Sequence, residues 1–215
     1  MIEIEGRKIL TTLQEKVAPE NAAIIVIDMQ RDFTYPGGFC DRLGIDISPM
    51  SALAARLASF LDAARKARVP IVHVHAVYDK KYMTNSMHER LYRHKIDPYC
   101  QSGTDGVKPH PGLEPKPGEP VVVKHRFDAF YDTELDMVLK TAGVQSIIAT
   151  GVATHACVDS TCRHGYFKGY YVVFPSDLTG GASPQQLAST IQTVDQCFGI
   201  STTANAIVDA WKSDK

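Results

Sequence analysis

"PVVVKHRFDAFYDTELDMVLKTAGVQSIIATGVATHAC" (residues 120–157) reads as a strand, a helix, a second strand and the start of a second helix. Its two apolar runs, "PVVVK" (120–124) and "SIIATGV" (146–152), are short, rich in Val and Ile, and do not alternate with polar residues. Strands buried on both faces have this pattern, as in a parallel sheet covered by helices. Between them, "DTELDMVLKTAG" (132–143) starts on an Asp and stops at Gly143, a cap pair for a helix. Three more runs of the same kind flank this unit: "AAIIVID" (22–28), "VPIVHVHAV" (69–77) and "YYVVFPSD" (170–177). Two further helices are expected. "PMSALAARLASFLDAARKARV" (49–69) puts Leu53, Leu57, Phe60 and Leu61 on one face, and "SPQQLASTIQTVDQCFG" (183–199) opens Ser-Pro and closes at Gly199. Strands alternating with helices require right-handed crossovers. The predicted fold is therefore α/β, a three-layer α/β/α sandwich with a mostly parallel central sheet.

Bulk properties narrow the function. The chain has 215 residues and a formal net charge of −1, so no basic field points to nucleic acid. It carries no apolar run of the ~20 residues that a membrane span needs, and its charged first residues do not read as a secretory signal. Five widely spaced cysteines are an odd number in a chain able to bury its own core. A disulfide framework is not expected, and a reducing cytoplasm is the expected compartment. The βα rhythm breaks over residues 78–119, where "KPHPGLEPKPGEP" (108–120) adds five prolines. This stretch is read as a long structured loop inside a single domain spanning 1–215, because the rhythm resumes at once.

In an open α/β sheet, ligands bind beyond the carboxyl ends of the strands. Three strands end there on reactive residues: Asp28 after "IIVI", Lys124 after "VVV", and Cys157 one short turn after "IIATGV". Each alone is ordinary: an Asp caps a helix, a Lys is solvated, a buried Cys is a small hydrophobe. Together at one sheet edge they suggest covalent catalysis. A helix N-terminus and a nearby ammonium would lower the thiol pKa. Asp28 could take the thiol proton and return it to a departing amine. Backbone amides near Cys157 would face an oxyanion.

The stretches "IIVIDMQRDF", "VVVKHRFDAFYDTELDMVLK" and "ATGVATHACVDSTCRHGY" resemble the isochorismatase-like cysteine hydrolases, a superfamily that includes N-carbamoylsarcosine amidase, nicotinamidase, ureidoacrylate amidohydrolase and biuret hydrolase. The likeness runs over about residues 20 to 205, nearly a whole domain. It implies a Rossmann-like sandwich and an Asp–Lys–Cys triad of Asp28, Lys124 and Cys157. It also implies a cis peptide at Val152–Ala153 that aims the amides of Ala153 and Cys157 at the substrate oxygen. The implied reaction cleaves a C–N bond of a small amide, ureido or carbamoyl compound through a thioester, with no cofactor and no metal, in a homodimer or homotetramer. "KHRFDAFYDTELD" reads like the ureido and carbamoyl branch. There Arg126 could hold a carboxylate or ureido oxygen, and Phe33, Phe127 and Phe130 could wall the pocket.

Other residues invite different chemistry. His73 and His75 share a strand face and, with His88, could belong to a metal-assisted nicotinamidase; ordinary strand histidines are the plainer reading. The Asp-Trp-His-type motif of nicotinamidases does not follow the second strand. Cys162 lies five residues after Cys157, about 140° around a helix, which favours packing over a redox pair. Cys40, Cys100 and Cys197 are expected to be structural. His155 is read as a capping or contact residue, and Gln192 and Gln196 as exposed. A non-catalytic binding protein is the remaining alternative.

Overall fold

The computed structural model describes residues 1–181 and 183–212. A hairpin, β1 (Ile2–Ile4) and β2 (Arg7–Ile9), precedes α1 (Leu13–Val17), which opens on a capping box between Thr12 and Glu15. There follow β3 (Ala22–Ile27), α2 (Arg31–Thr34), α3 (Phe39–Arg42), α4 (Ser48–Ala67), β4 (Ile71–Ala76) and α5 (Asn85–His94). The chain continues through β5 (Val121–Lys124), α6 (Leu135–Thr141), β6 (Ser146–Val152), α7 (Asp159–Phe167) and β7 (Tyr171–Pro175). It ends with β8 (Thr179–Gly180), α8 (Pro184–Thr193), β9 (Gly199–Thr202) and α9 (Ala204–Lys212).

Among the described residues, seven strands form one sheet in the order β5-β4-β3-β6-β7-β9, with the short β8 paired to β6. Every pairing in it is parallel. The reversal of strand order lies between β3 and β6, the position at which such sheets open a crevice at their carboxyl ends. Both faces are covered. On one, Leu53, Leu57, Phe60 and Leu61 of α4 meet Ile24, Val26 and Ile148, with Trp211 of α9 against Phe60 at 5.3 Å. On the other, Leu135 and Leu139 of α6 and Cys162 of α7 pack on Ile25, Ile27, Ile147 and Phe174. Two-sided burial is why these strands lack alternation.

Two local expectations are corrected. α6 does not cap on Asp132, which adopts the left-handed conformation (φ 52°). Thr133 Oγ1 instead accepts from the Leu135 amide at 3.3 Å. Gly199 does close the helix, as expected: α8 runs on through a π-helical turn, Val194–Phe198, that Gly199 caps. The glycine itself is extended (φ −179°) and opens β9, where a Cβ would lie 2.1 Å from the Val172 carbonyl oxygen. Residues 78–119 contain the helix α5 where only loop was expected. Buried Asp32 ties that segment down, accepting from the amides of Phe39 at 3.0 Å and Cys100 at 2.7 Å.

Candidate active site

Three strand ends build the site. β3 runs into Asp28, whose backbone turns left-handed (φ 53°) while its amide donates to the Val74 carbonyl at 2.9 Å. Two residues on, the buried Gln30 side chain extends the sheet. Its Nε2 donates to the Ala76 carbonyl at 3.0 Å, and its Oε1 accepts from the Ala76 amide at 2.7 Å. β5 pairs Lys124 with Ala76, which brings the lysine level with Asp28. At the end of β6, Gly151 (φ +106°) allows close approach to β3, since a Cβ there would meet the Ile27 carbonyl oxygen at 2.0 Å. The Val152–Ala153 peptide that follows is cis. The chain then makes one wide π-helical turn, Thr154–Val158, before α7 begins.

The side chains converge. Lys124 Nζ lies 2.8 Å from Asp28 Oδ2, and both residues are almost wholly buried, at 0% and 1% exposure. The ammonium also donates to the carbonyls of Arg126 at 3.0 Å and Phe127 at 2.9 Å. Its third N–H remains for the Asp28 carboxylate. The Cys157 thiol interacts with both partners. Burial works against the Lys124 ammonium, but Asp28 and Cys157 more than offset it and hold its pKa above the ordinary lysine value. Burial likewise raises Asp28 above the ordinary carboxylate range, with Lys124 opposing.

The thiol departs from expectation. Burial, then the charge of Asp28, push Cys157 up to about 12, with Lys124 opposing. The lowering expected from the ammonium and the helix start is outweighed because the sulfur is enclosed beside a carboxylate. The thiol is thus neutral at rest beside the Asp28 carboxylate, an arrangement that can transfer a proton as sulfur attacks. The amides of Ala156 and Val158 return to the Ala153 carbonyl at 3.0 and 3.2 Å. Among the described residues, no backbone carbonyl outside its own turn takes the Cys157 amide between them.

Cys157 is not sealed. It opens, with Asp28, onto a cavity of about 280 Å³ lined by Phe33, Phe127, Val152 and Ala153 and closed by Arg90 and Tyr99. A neighbouring cavity of about 370 Å³ shares Arg90, Tyr99 and Phe127 with it.

Compared with known protein families, residues 22–206 match the isochorismatase domain. The chain belongs to the isochorismatase family. It is 30% identical to a ureidoacrylate amidohydrolase of Methylobacterium radiotolerans, covering 90% of this chain and 81% of that one. It is 31% identical to a ureidoacrylate amidohydrolase of Azorhizobium caulinodans, covering 88% and 90%. Among solved structures, a cysteine hydrolase from Pseudomonas syringae superposes with a TM-score of 0.81 at 24% identity, over 92% of this chain and 95% of that one.

Within this member of the family, the structure brings Asp28, Lys124 and Cys157 together and sets Phe33, Phe127, Val152 and Ala153 around them. Two assignments are corrected. Phe130 is buried in the core, stacked on Tyr170 at 5.7 Å, and does not wall the cavity. Arg126 lines the neighbouring cavity and spends Nη1 on the carbonyls of Tyr82 at 2.9 Å and His125 at 2.7 Å. The guanidinium on the Cys157 cavity is Arg90, which sits on the helix the sequence did not reveal. His155 also lines the cavity. His73 is held by Glu119 at 3.0 Å, and the two strand histidines lie 6.3 Å apart ring to ring. Among the described residues, no three His, Cys, Asp or Glu side chains gather as a metal-holding group. Cys162 and Cys100 are buried, Cys40 is half-buried and packs against the core while also lining the cavity, and Cys197 is exposed. Gln192 and Gln196 are exposed. Gln30 and Asp32 were missed; their signal was only that polar residues recur directly after a strand, in "IDMQRD".

Proposed function

We propose that the chain is a single-domain, cysteine-dependent amidohydrolase that cleaves a C–N bond of a small amide, ureido or carbamoyl compound. The observation that carries this reading is the 2.8 Å Asp28–Lys124 pair beside Cys157 at the floor of a cavity. The names of the relatives, ureidoacrylate amidohydrolases, support the substrate class. Cys157 attacks the carbonyl carbon while Asp28 takes the thiol proton. The amides of Ala153 and Cys157 face the oxyanion. Lys124 stays charged and balances whichever of Asp28 and the sulfur is negative. As the tetrahedral intermediate collapses, Asp28 returns the proton to the leaving nitrogen, which departs as ammonia or an amine. Water then attacks the acyl–sulfur bond, with Asp28 again as base, and the thiol is restored. Phe33 and Phe127 supply the apolar walls.

The test is a panel of small amides, ureides and carbamoyl amino acids scored for ammonia release, with mass spectrometry of rapidly quenched enzyme. A substrate should add its acyl mass to the peptide bearing Cys157. Turnover with an adduct on any other residue would overturn the assignment.

The pH profile follows from the buried carboxylate. Asp28 must be ionised to accept the proton, and its pKa is raised. Activity is therefore present above that pKa and lost as pH falls through it. The acid limb of kcat/KM should centre above the ordinary carboxylate value of about 4. Because the thiol is held near 12, no second ionisation of the pair cuts into the plateau at neutral pH. A rate that instead climbs continuously through the ordinary thiol range, about pH 8 to 9, would show a pre-formed thiolate as the active species.

The assembly is proposed to be a homodimer or homotetramer, and the compartment the cytoplasm. Exposed Phe167 and its ring contacts with Tyr166 and Phe198 support the first, and five free cysteines the second. Among the described residues, no helix is long and apolar enough to cross a membrane.

A further inference from the structure

The Cys157 cavity is mostly apolar and aromatic, and fixed charge reaches it from two directions. Asp28 lies at the floor, already paired with Lys124 at 2.8 Å. Arg90 of α5 closes another side. Among the described residues Arg90 has no carboxylate within ion-pair distance, whereas Arg93 on the same helix is bound to Glu89 at 2.8 Å. What holds Arg90 is aromatic: its guanidinium lies 5.3 Å from the centre of the Phe127 ring, and it interacts with the phenol of Tyr99. With one contact made to Tyr99, the guanidinium's five N–H groups still leave donors for a ligand. A half-buried guanidinium with no carboxylate partner, facing an apolar cavity, is poorly compensated when the cavity is empty. A carboxylate supplies the missing acceptors in bidentate geometry.

We propose that Arg90 is a specificity-determining residue, and that the compound cleaved at Cys157 is an anion carrying a carboxylate on the side remote from the scissile C–N bond. The proposal rests on the reading of the Cys157 cavity as the active site. It assigns the substrate's two ends to different elements. The reacting carbonyl is held by the strand ends and the turn before α7. The charged end is held by α5, which belongs to the segment between β4 and β5. His155 also borders the cavity, and a preference for anions could arise from it instead. The Arg90 variants separate the two, and a guanidinium stays charged throughout the working pH range.

The experiment compares 3-ureidopropanoate and a short series of related ureido acids with their methyl esters, in wild type, Arg90→Met and Arg90→Lys. Wild type should favour the acid in kcat/KM by about 10- to 100-fold, the range of a charge-assisted bidentate contact. The preference should hold from about pH 6 to 9. Arg90→Met should remove it through a rise in KM for the acid, with the uncharged ester falling far less, and Arg90→Lys should keep part of it. In parallel, calorimetry on Cys157→Ala protein should detect the acid, and adding Arg90→Met should abolish that binding. Equal losses on acid and ester, a preference that fades above about pH 7, or binding of neither compound in the series would overturn the proposal. Ammonia release without regard to charge leaves the hydrolase reading standing and removes Arg90. Arg90-dependent binding with no hydrolysis does the reverse.

Discussion

Cys157→Ala should lower ammonia release by about 10⁵-fold or more, the scale seen when a covalent nucleophile is deleted from a catalytic unit. Cys162→Ala should leave the rate within a few-fold of wild type. The two thiols sit five residues apart, yet their settings differ in kind. Cys157 opens onto the cavity and interacts with Asp28 and Lys124. Cys162 is fully buried under α7, against the sheet. Removing its sulfur leaves a void, which should cost about 1–2 kcal/mol by analogy with small core truncations and show as a lower melting temperature. Activity and stability should therefore separate: Cys157→Ala stays folded and silent, Cys162→Ala works and melts early. Steady-state assays and thermal unfolding of both proteins decide it. A fully active Cys157→Ala would remove the covalent mechanism outright.

The central sheet was legible because its inner strands are buried on both faces. "AAIIVI" and "SIIATGV" have no polar face to disguise them, and the five runs read from sequence correspond to β3, β4, β5, β6 and β7. The elements that escaped notice are those whose conformation comes from tertiary contact. β9 has only four residues, all half-buried, and Gly199 belongs to it because nothing larger fits against the Val172 carbonyl. β8 spans two residues and exists through its pairing with β6. α5 has no fully buried residue, and only Met87 and Leu91 pack against the core, so its apolar stripe is too short to stand out in the sequence.

The same distinction runs through the site. Asp28, Lys124 and Cys157 could be found because each ends a strand, and parallel strands end together. The cavity wall could not. "KHRF" invites Arg126 as the ligand-holding group, but its guanidinium turns to the Tyr82 and His125 carbonyls and faces the neighbouring cavity. Phe130 lies three residues beyond Phe127, yet the chain turns inward between them, so one ring lines the cavity and the other stacks in the core. The thiol's pKa was misjudged for a related reason. Sequence names the charges that will be near the sulfur but not the depth of burial, and burial is the larger influence.

Lys124→Met should cost about 3–5 kcal/mol of stability, the range for stripping one partner from a buried ion pair, and should abolish activity as well. Lys124 is one of the largest fully buried side chains in the protein. It compensates three acceptors: the Asp28 carboxylate at 2.8 Å and the carbonyls of Arg126 and Phe127 at 3.0 and 2.9 Å. Methionine fills a similar volume and satisfies none of them. For a chain of this size the loss corresponds to a fall of about 6–20 °C in melting temperature. It also removes the largest influence opposing Asp28's desolvation, so the carboxylate's pKa rises further. Whatever weak activity survives should then have its acid limb displaced upward. The double variant Asp28→Asn with Lys124→Met removes both charges and should recover much of the lost stability, because no uncompensated ion remains buried. Its activity should stay absent, since the proton acceptor is gone. Recovery of stability without recovery of rate would mark the pair as retained for chemistry. If the single variant instead melts within about 1 kcal/mol of wild type, the ion pair is solvated in solution, and the dry proton exchange between Asp28 and Cys157 loses its basis.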